Sequence, residues 1–247
     1  LRVLLIDIET KPNLGYIWSL WNQNVSLSQL VEAKDTICFG YEWLEGNGKG
    51  FHSVWGEDGK QGMVQAAWDL LNEADAVIHY NGSRFDMPHL NALFFEAKMG
   101  PPSPYKNIDL LSVVRKKFGQ GIPSKKLAYV TQWAGLTTKT DTGGFGLWIG
   151  VMKDDPKAQK KMERYCRNDV KIMRPLYYRL LPWIDNHPNR NLYDVKTDGC
   201  PKCEGGPEDL VKEGFRYTQT GAYQQYSCRR CKGWCSGGKR SYGSDVR

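Results

Sequence analysis

With 247 residues, 40% of them hydrophobic, and nine Trp beside thirteen Tyr, the chain holds enough apolar material for one large domain or a core plus a small module, which excludes global disorder. No apolar run approaches the roughly 20 residues that span a bilayer, and Val3–Ile6 is too short for a secretion signal, so a soluble cytoplasmic protein with no membrane partner is expected. The net charge of +7 divides into +3 for residues 1–186 and +4 for residues 187–247, a balance that suits a polyanionic partner as well as ordinary solubility.

Arg2–Ile8 is a β-branched, Leu-rich run of strand length, consistent with a strand buried on both faces. Alternation points Asp7 and Glu9 to one side at its carboxyl end, where α/β sheets place ligands, although a DxE pair by itself is a common solvated strand end. Residues 11–36 have no firm periodicity and carry Tyr16, Trp18 and Trp21, which suit either core packing or the stacking of nucleic-acid bases. Ile37–Leu44 reads as a strand, Gly46–Gly50 as a turn and Phe51–Trp55 as its hairpin partner. Gln61–Asn72 has helical spacing through Met63, Ala67, Leu70 and Leu71, and Ala76–Tyr80 is a short apolar strand.

That strand delivers the chain to Asn81-Gly82-Ser83-Arg84-Phe85-Asp86, a sharp turn with Asp86 expected as N-cap of a helix that tolerates Pro88 and ends at Gly100. After a Pro-rich break, an element runs from Asn107 to Phe118. Ser124 is expected to cap a helix over Lys125–Ala134, and Thr137–Gly146 to form a Gly-rich loop. Asp155-Pro156 supplies a cap and a proline at the first helical position, opening a long helix toward Leu181 that Pro175 should kink or divide. On it Met162, Tyr165, Asp169, Ile172, Met173 and Leu176 share a face, and Tyr165 and Asp169, four apart, converge on one point. Three antiparallel strands followed by alternating helices and strands imply a mixed sheet flanked by helices, an RNase H-like α/β core over residues 1–184, with a linker at 185–195 and a small module at 196–247.

Acidic groups at the ends of apolar elements need compensation, since a buried unpaired carboxylate costs several kcal/mol or more, and a divalent metal supplies it. Singly, Asp86 is explained as a cap, Tyr165 as a core tyrosine and Asp169 as half of an ion pair; together with LLIDIET they form an ordered set. The LLIDIET, HYNGSRFD and YCRNDV motifs resemble the DEDD superfamily of 3′–5′ exonucleases, most closely its stand-alone phage and bacterial members, over about residues 1–182. The Tyr-x3-Asp spacing resembles the tyrosine subclass; the histidine subclass would want His at the position of Arg164. The resemblance implies two Mg²⁺ or Mn²⁺ ions held by Asp7, Glu9, Asp86 and Asp169, with Asp7 bridging and Tyr165 orienting the attacking water. It also implies single-stranded or frayed DNA 3′ ends as partner, with RNA as the alternative, in a bacterial or phage-infected cell. Thr10, Asn81, Phe85, Trp18 and Trp21 are the expected substrate contacts. A different class of protein, a binding module that kept the fold and lost catalysis, disagrees with the retention of all five site residues.

Cys200-x2-Cys203 and Cys228-x2-Cys231 form a zinc-ribbon pattern, expected to hold one structural Zn²⁺ on four thiolates with no open position for catalysis. Phe215–Tyr217 and Ala222–Ser227 are expected to pair as a hairpin between the knuckles, while Cys235 competes for the last ligand position or stays a free thiol. Arg216, Tyr226, Arg229, Arg230 and Lys232 suit nucleic acid, and a replication or repair protein docked on the ribbon is an equal expectation.

Overall fold

The computed structural model describes residues 1–136, 144–195 and 198–244. In chain order the elements are β1 (Val3–Lys11), β2 (Leu14–Gly15), β3 (Leu30–Glu32), β4 (Asp35–Trp43), β5 (Lys49–Ser53), α1 (Gly59–Glu73), β6 (Ala76–His79), α2 (Asp86–Glu96), β7 (Lys106–Asp109) and α3 (Leu110–Lys117). They continue with α4 (Leu127–Trp133), α5 (Gly146–Met152), α6 (Pro156–Leu180), α7 (Arg190–Tyr193), β8 (Leu210–Tyr217), β9 (Gly221–Cys228) and β10 (Trp234–Gly243). The chain divides into two compact units: one comprises residues 2–112 and 123–175, the other Leu1, residues 113–122 and residues 176–247.

In the larger unit five strands lie in the order β5-β4-β1-β6-β7, with β5, β4 and β1 antiparallel and β1, β6 and β7 parallel. The alternation of β1 decides what each face does. Leu4, Ile6 and Ile8 enter a core with Met63, Val64, Ala67 and Leu71 of α1 and Leu90, Leu93 and Phe94 of α2. Asp7 and Glu9 therefore point to the opposite face, where Met162, Tyr165 and Cys166 of α6 pack with Leu147 and Val151 of α5 and Ile37 and Cys38 of β4. Gly40, paired with Asp7 across the ladder, lets α6 approach: a Cβ there would lie 3.3 Å from Cys166 O and Sγ and from Val170 Cγ2. Arg174 anchors the same helix, donating to the carbonyls of Leu44 (2.7 Å) and Trp43 (2.6 Å) and pairing with Glu42 (2.8 Å).

The smaller unit holds a three-stranded antiparallel sheet in the order β10-β9-β8. The expected β8–β9 hairpin is present, with Thr218 N–H bonded to Gly221 O, and β10 is a third strand that short, Gly-rich sequence did not announce. Three local expectations are corrected. Phe85, not Asp86, occupies the cap position of α2: Asp86 is the first helical residue, and its carboxylate reaches across to β1. Ser124 accepts from Lys126 N–H, but Lys126 is the cap residue of α4. Of the kink or division expected at Pro175, the division is excluded, since α6 is one element of 25 residues. The loop expected at 137–146 falls mostly outside the described residues, and α5, which begins at Gly146, was not foreseen.

Candidate metal centre and active site

Asp7 and Glu9 from β1 and Asp169 from α6 bring one carboxylate oxygen each to within 4.8 Å of one another. Residues 162 positions apart in sequence meet because the glycine gap at Gly40 draws α6 onto the face that β1 offers. A bulge follows at once: Glu9 pairs with Cys38, whereas Thr10 pairs with Thr36, so the ladder slips one residue beyond the acids. Three hard oxygen donors converging this closely match what Mg²⁺ or Mn²⁺ requires.

Asp86 reaches the centre from the other side of the strand. β6 pairs β1 only through Val3, Leu4 and Leu5, leaving the backbone of β1 beyond that point open on this edge. Ile8 N–H, between the two acids, donates to Asp86 Oδ1 at 3.0 Å. Asp86 does not join the group of three oxygens, but its carboxylate lies against the same stretch of backbone, 3% exposed. Burial pushes its pKa up from 3.8 to about 7, against the lowering effect of the Ile8 hydrogen bond and with a smaller push from Asp109.

The turn that delivers Asp86 is held by His79, Asn81 and Gly82 of the HYNGSRFD motif together with Asp109, which no motif singles out. His79 is fully buried, its Nδ1 accepting from Gly82 N–H (3.0 Å) and its Nε2 facing Asn107 Oδ1 (2.9 Å). Those partners require a neutral ring protonated at Nε2, in keeping with burial, which holds the imidazole below its usual range despite Asn107 and Asp109. Asp109 Oδ1 accepts Asn81 N–H at 3.0 Å, fixing Asn81 in a left-handed conformation (φ 74°). Gly82 admits no side chain, since a Cβ would lie 2.4 Å from the His79 ring. The signal available in sequence was position: His79 and Asp109 end adjacent parallel strands and pair with each other in register.

Tyr165 is nearly buried and meets the Trp148 ring edge-on at a centroid distance of 6.1 Å. Burial, then the charges of Asp169, Glu9 and Asp7, push the phenol pKa upward, with a hydrogen bond to Asp169 acting in the same direction. The hydroxyl therefore stays protonated and donates. Cys166 donates to Asp7 O at 3.5 Å; a hydrogen bond with Cys38, then burial and the neighbouring acids, push its thiol up, which keeps it a protonated donor rather than a nucleophile. Among the expected substrate contacts, Thr10 is partly buried just past the bulge and Phe85 is exposed, its ring 4.5 Å from that of His89. Tyr16, Trp18 and Trp21 lie on the β2–β3 excursion with exposures of 77, 94 and 81%, which overturns the core-packing alternative for them.

In the smaller unit the four CxxC cysteines bring their sulfurs within 4.8 Å of one another. A tetrahedral site with Zn–S bonds of about 2.3 Å has sulfur–sulfur edges of about 3.8 Å. Cys200–Cys231 and Cys203–Cys228 are both 3.8 Å apart, so the cluster fits a zinc ion. Gly205 N–H points at Cys203 Sγ from 3.4 Å. Cys235 is not in this group of four.

An α/β fold with a mixed five-stranded sheet, flanked by helices and carrying carboxylates converging at the end of its first strand, defines the RNase H-like class. A family-wide sequence profile described as the RNase_H superfamily matches residues 28–181, and the chain belongs to that superfamily. No curated protein matches. Among solved structures, the family B DNA polymerase from the hyperthermophilic archaeon Pyrobaculum calidifontis is similar in fold, with a TM-score of 0.52 and 20% identity. The likeness covers 74% of this chain but only 25% of the polymerase. Among the described residues, no helix is long and apolar enough to cross a membrane.

Proposed function

We propose that the chain is a metal-dependent 3′–5′ exonuclease of the DEDD type and tyrosine subclass, hydrolysing single-stranded DNA from its 3′ end to nucleoside monophosphates. One observation carries the reading: Asp7, Glu9 and Asp169 converge from β1 and α6, and the protonated Tyr165 is bonded to Asp169. Asp7, Glu9, Asp169 and, on ionisation, Asp86 would hold two Mg²⁺ or Mn²⁺ ions. Bound there, the cations would lower the pKa of the attacking water and neutralise charge on the departing 3′-oxygen.

The chain's own residues do the rest. Tyr165 donates a hydrogen bond and orients the water toward phosphorus; a phenol pushed above its usual range is no base at neutral pH. The Ile8 N–H fixes Asp86 beside the two acids of β1, and the His79–Gly82 and Asp109–Asn81 bonds hold the turn behind it. Thr10, Asn81 and Phe85 flank the scissile end, while exposed Trp18 and Trp21 offer faces for the terminal bases. The cysteine cluster is a structural zinc ribbon, a second place for DNA or a replication or repair partner to dock.

Single strands labelled at the 5′ or 3′ end, incubated with Mg²⁺ or Mn²⁺, test the reading. The 5′-labelled strand should shorten as a ladder, the 3′ label should leave as a mononucleotide, and Asp7→Ala should do neither. Absence of metal-dependent product from the wild type, or equal product from Asp7→Ala, overturns it. A matched RNA strand decides between DNA and the exoribonuclease alternative.

A further inference from the structure

The smaller unit contains a cleft of about 620 Å³ that the cysteine cluster does not explain. One wall is the end of α3 and the turn after α6, through Lys117, Trp183 and Asp185; the other is the three-stranded sheet. Register puts the sheet wall on one face, apart from Cys235, which pairs with Tyr226. Trp234 pairs with Ser227 and Ser236 with Gln225 across β9–β10, and Arg216 pairs with Tyr223 across β8–β9. Because residues 223, 225 and 227 alternate onto the same side, Arg216, Gln225, Trp234 and Ser236 all present that side to the cleft.

The lining joins two chemistries. Trp183 and Trp234 are half exposed, at 49 and 50%, and the Phe118 ring meets Trp183 edge-on at 5.3 Å, holding that indole in place. Around them stand Lys117, Lys202 and Arg216. Among the described residues Asp185 is the only acid of the lining, and both Lys116 and Lys117 hold it at 2.7 Å, so its charge is already answered. Lys202 is buried to 8% exposure, donating to Pro182 O at 3.3 Å. His187, bonded to Tyr177 and Pro188, is kept neutral by burial. A cleft with flat aromatic faces and an exposed cation in Arg216 matches a nucleotide: planar base, anionic phosphate.

We propose that this cleft is a strand-holding site, in which Trp183 and Trp234 stack bases of single-stranded nucleic acid and the exposed Arg216 takes a phosphate. The proposal rests on the nuclease reading for its ligand class, since a strand held here would be retained between successive cleavages. An acidic peptide would use the same arginine but not the indoles.

The test is binding of fluorescein-labelled dT12 to zinc-loaded protein without added divalent cation, followed by anisotropy and tryptophan quenching. Trp234→Ala and Trp183→Leu should each weaken binding about tenfold, the scale of one lost stack, and Arg216→Ala should weaken it and flatten its salt dependence. Zinc content is measured on every variant; Arg216, exposed on β8, is the control that does not depend on an indole in the fold. Cleavage of a dinucleotide, which has a single phosphodiester and no strand beyond it to hold, should be unchanged in all three. Wild-type affinity in both Arg216→Ala and a zinc-replete Trp variant overturns the proposal, as does competition by poly-glutamate equal to that by dT12. Because binding is measured without divalent cation and cleavage with it, strand holding and catalysis can fail separately, and each failure is recognisable.

Discussion

Asp86→Asn separates what the candidate site costs from what it does. In the metal-free protein the buried carboxyl has its pKa raised from 3.8 to about 7, chiefly by desolvation. The unfolded chain releases this proton near pH 4, so between about pH 4 and 7 the unfolded state binds fewer protons than the folded one. Stability therefore falls as pH rises through that window and levels off above it. A shift of about 3 units at 1.36 kcal/mol each sets the loss at about 4 kcal/mol at pH 8. Asn keeps an oxygen for Ile8 N–H and cannot ionise, but its amide needs a partner, so a net gain of about 2 kcal/mol is expected. For a chain of this length that is a rise of about 4–8 °C in Tm. The assay is thermal unfolding of zinc-loaded protein, free of Mg²⁺ and Mn²⁺, from pH 5 to 8. The Asn variant should gain on wild type up to about pH 7, then hold its lead, while losing about a hundredfold or more in cleavage. A difference that does not change with pH, or a less stable variant at pH 8, refutes the reasoning.

Two substitutions probe how α6 is placed. Tyr165→Phe removes the donor beside Asp169 and should cost about a hundredfold in kcat, with metal affinity and the shape of the pH profile unchanged, because the phenol does not titrate in the working range. Loss of a basic limb would instead make it a general base. Gly40→Val fills a gap in which even a bare Cβ sits 3.3 Å from Cys166 and Val170. Calorimetry should show a loss of about 1–3 kcal/mol. The outward shift of Tyr165 and Asp169 should lower cleavage about a hundredfold, and wild-type activity in this variant would refute Gly40 as the spacer.

The strands and the long helix were legible because their signals are local: a β-branched run at Val3–Ile8, helical spacing from Met162 to Leu176, an Asp-Pro start at 155–156. Asp7, Glu9, Asp169 and Tyr165 were legible for a related reason, as polar groups interrupting apolar periods. What could not be read was set by tertiary partners. Asp86 looked like a cap because cap chemistry is local, whereas its acceptor role toward Ile8 depends on β6 ending before β1 does. His79 passed for one more residue of a buried strand, although its ring builds the turn. The strand β10 escaped because Gly237 and Gly238 weaken any strand pattern, and the two register shifts between Ser236 and Tyr242 are what accommodate them. Trp18 and Trp21 show the converse: apolar composition suggested a core, and the chain leaves them in solvent.

The two metal-competent clusters differ in what their cation must do, and removal should distinguish them. The carboxylates stand on a sheet whose buried face is filled by α1 and α2, with α6 anchored by Arg174 to the carbonyls of Trp43 and Leu44. That scaffold holds the acids together against their repulsion, so withdrawing Mg²⁺ or Mn²⁺ should abolish cleavage and leave the larger unit folded. The cysteines have no comparable support: the exposed strand β8 and most of β10 give their sheet little buried apolar surface, and the knuckles at 200–203 and 228–231 close on one another. In such a module the metal's binding energy is folding energy. Mercurial titration of the thiols should release one zinc per chain and melt the β8–β10 sheet, seen as loss of amide protection there, while β1, β4 and β6 keep theirs. Dinucleotide cleavage should survive it when Mn²⁺ is supplied. If the sheet stays protected after zinc release, the cluster is not what holds it; if the large unit melts with it, the two centres share one folding unit and the distinction drawn from their scaffolds is wrong.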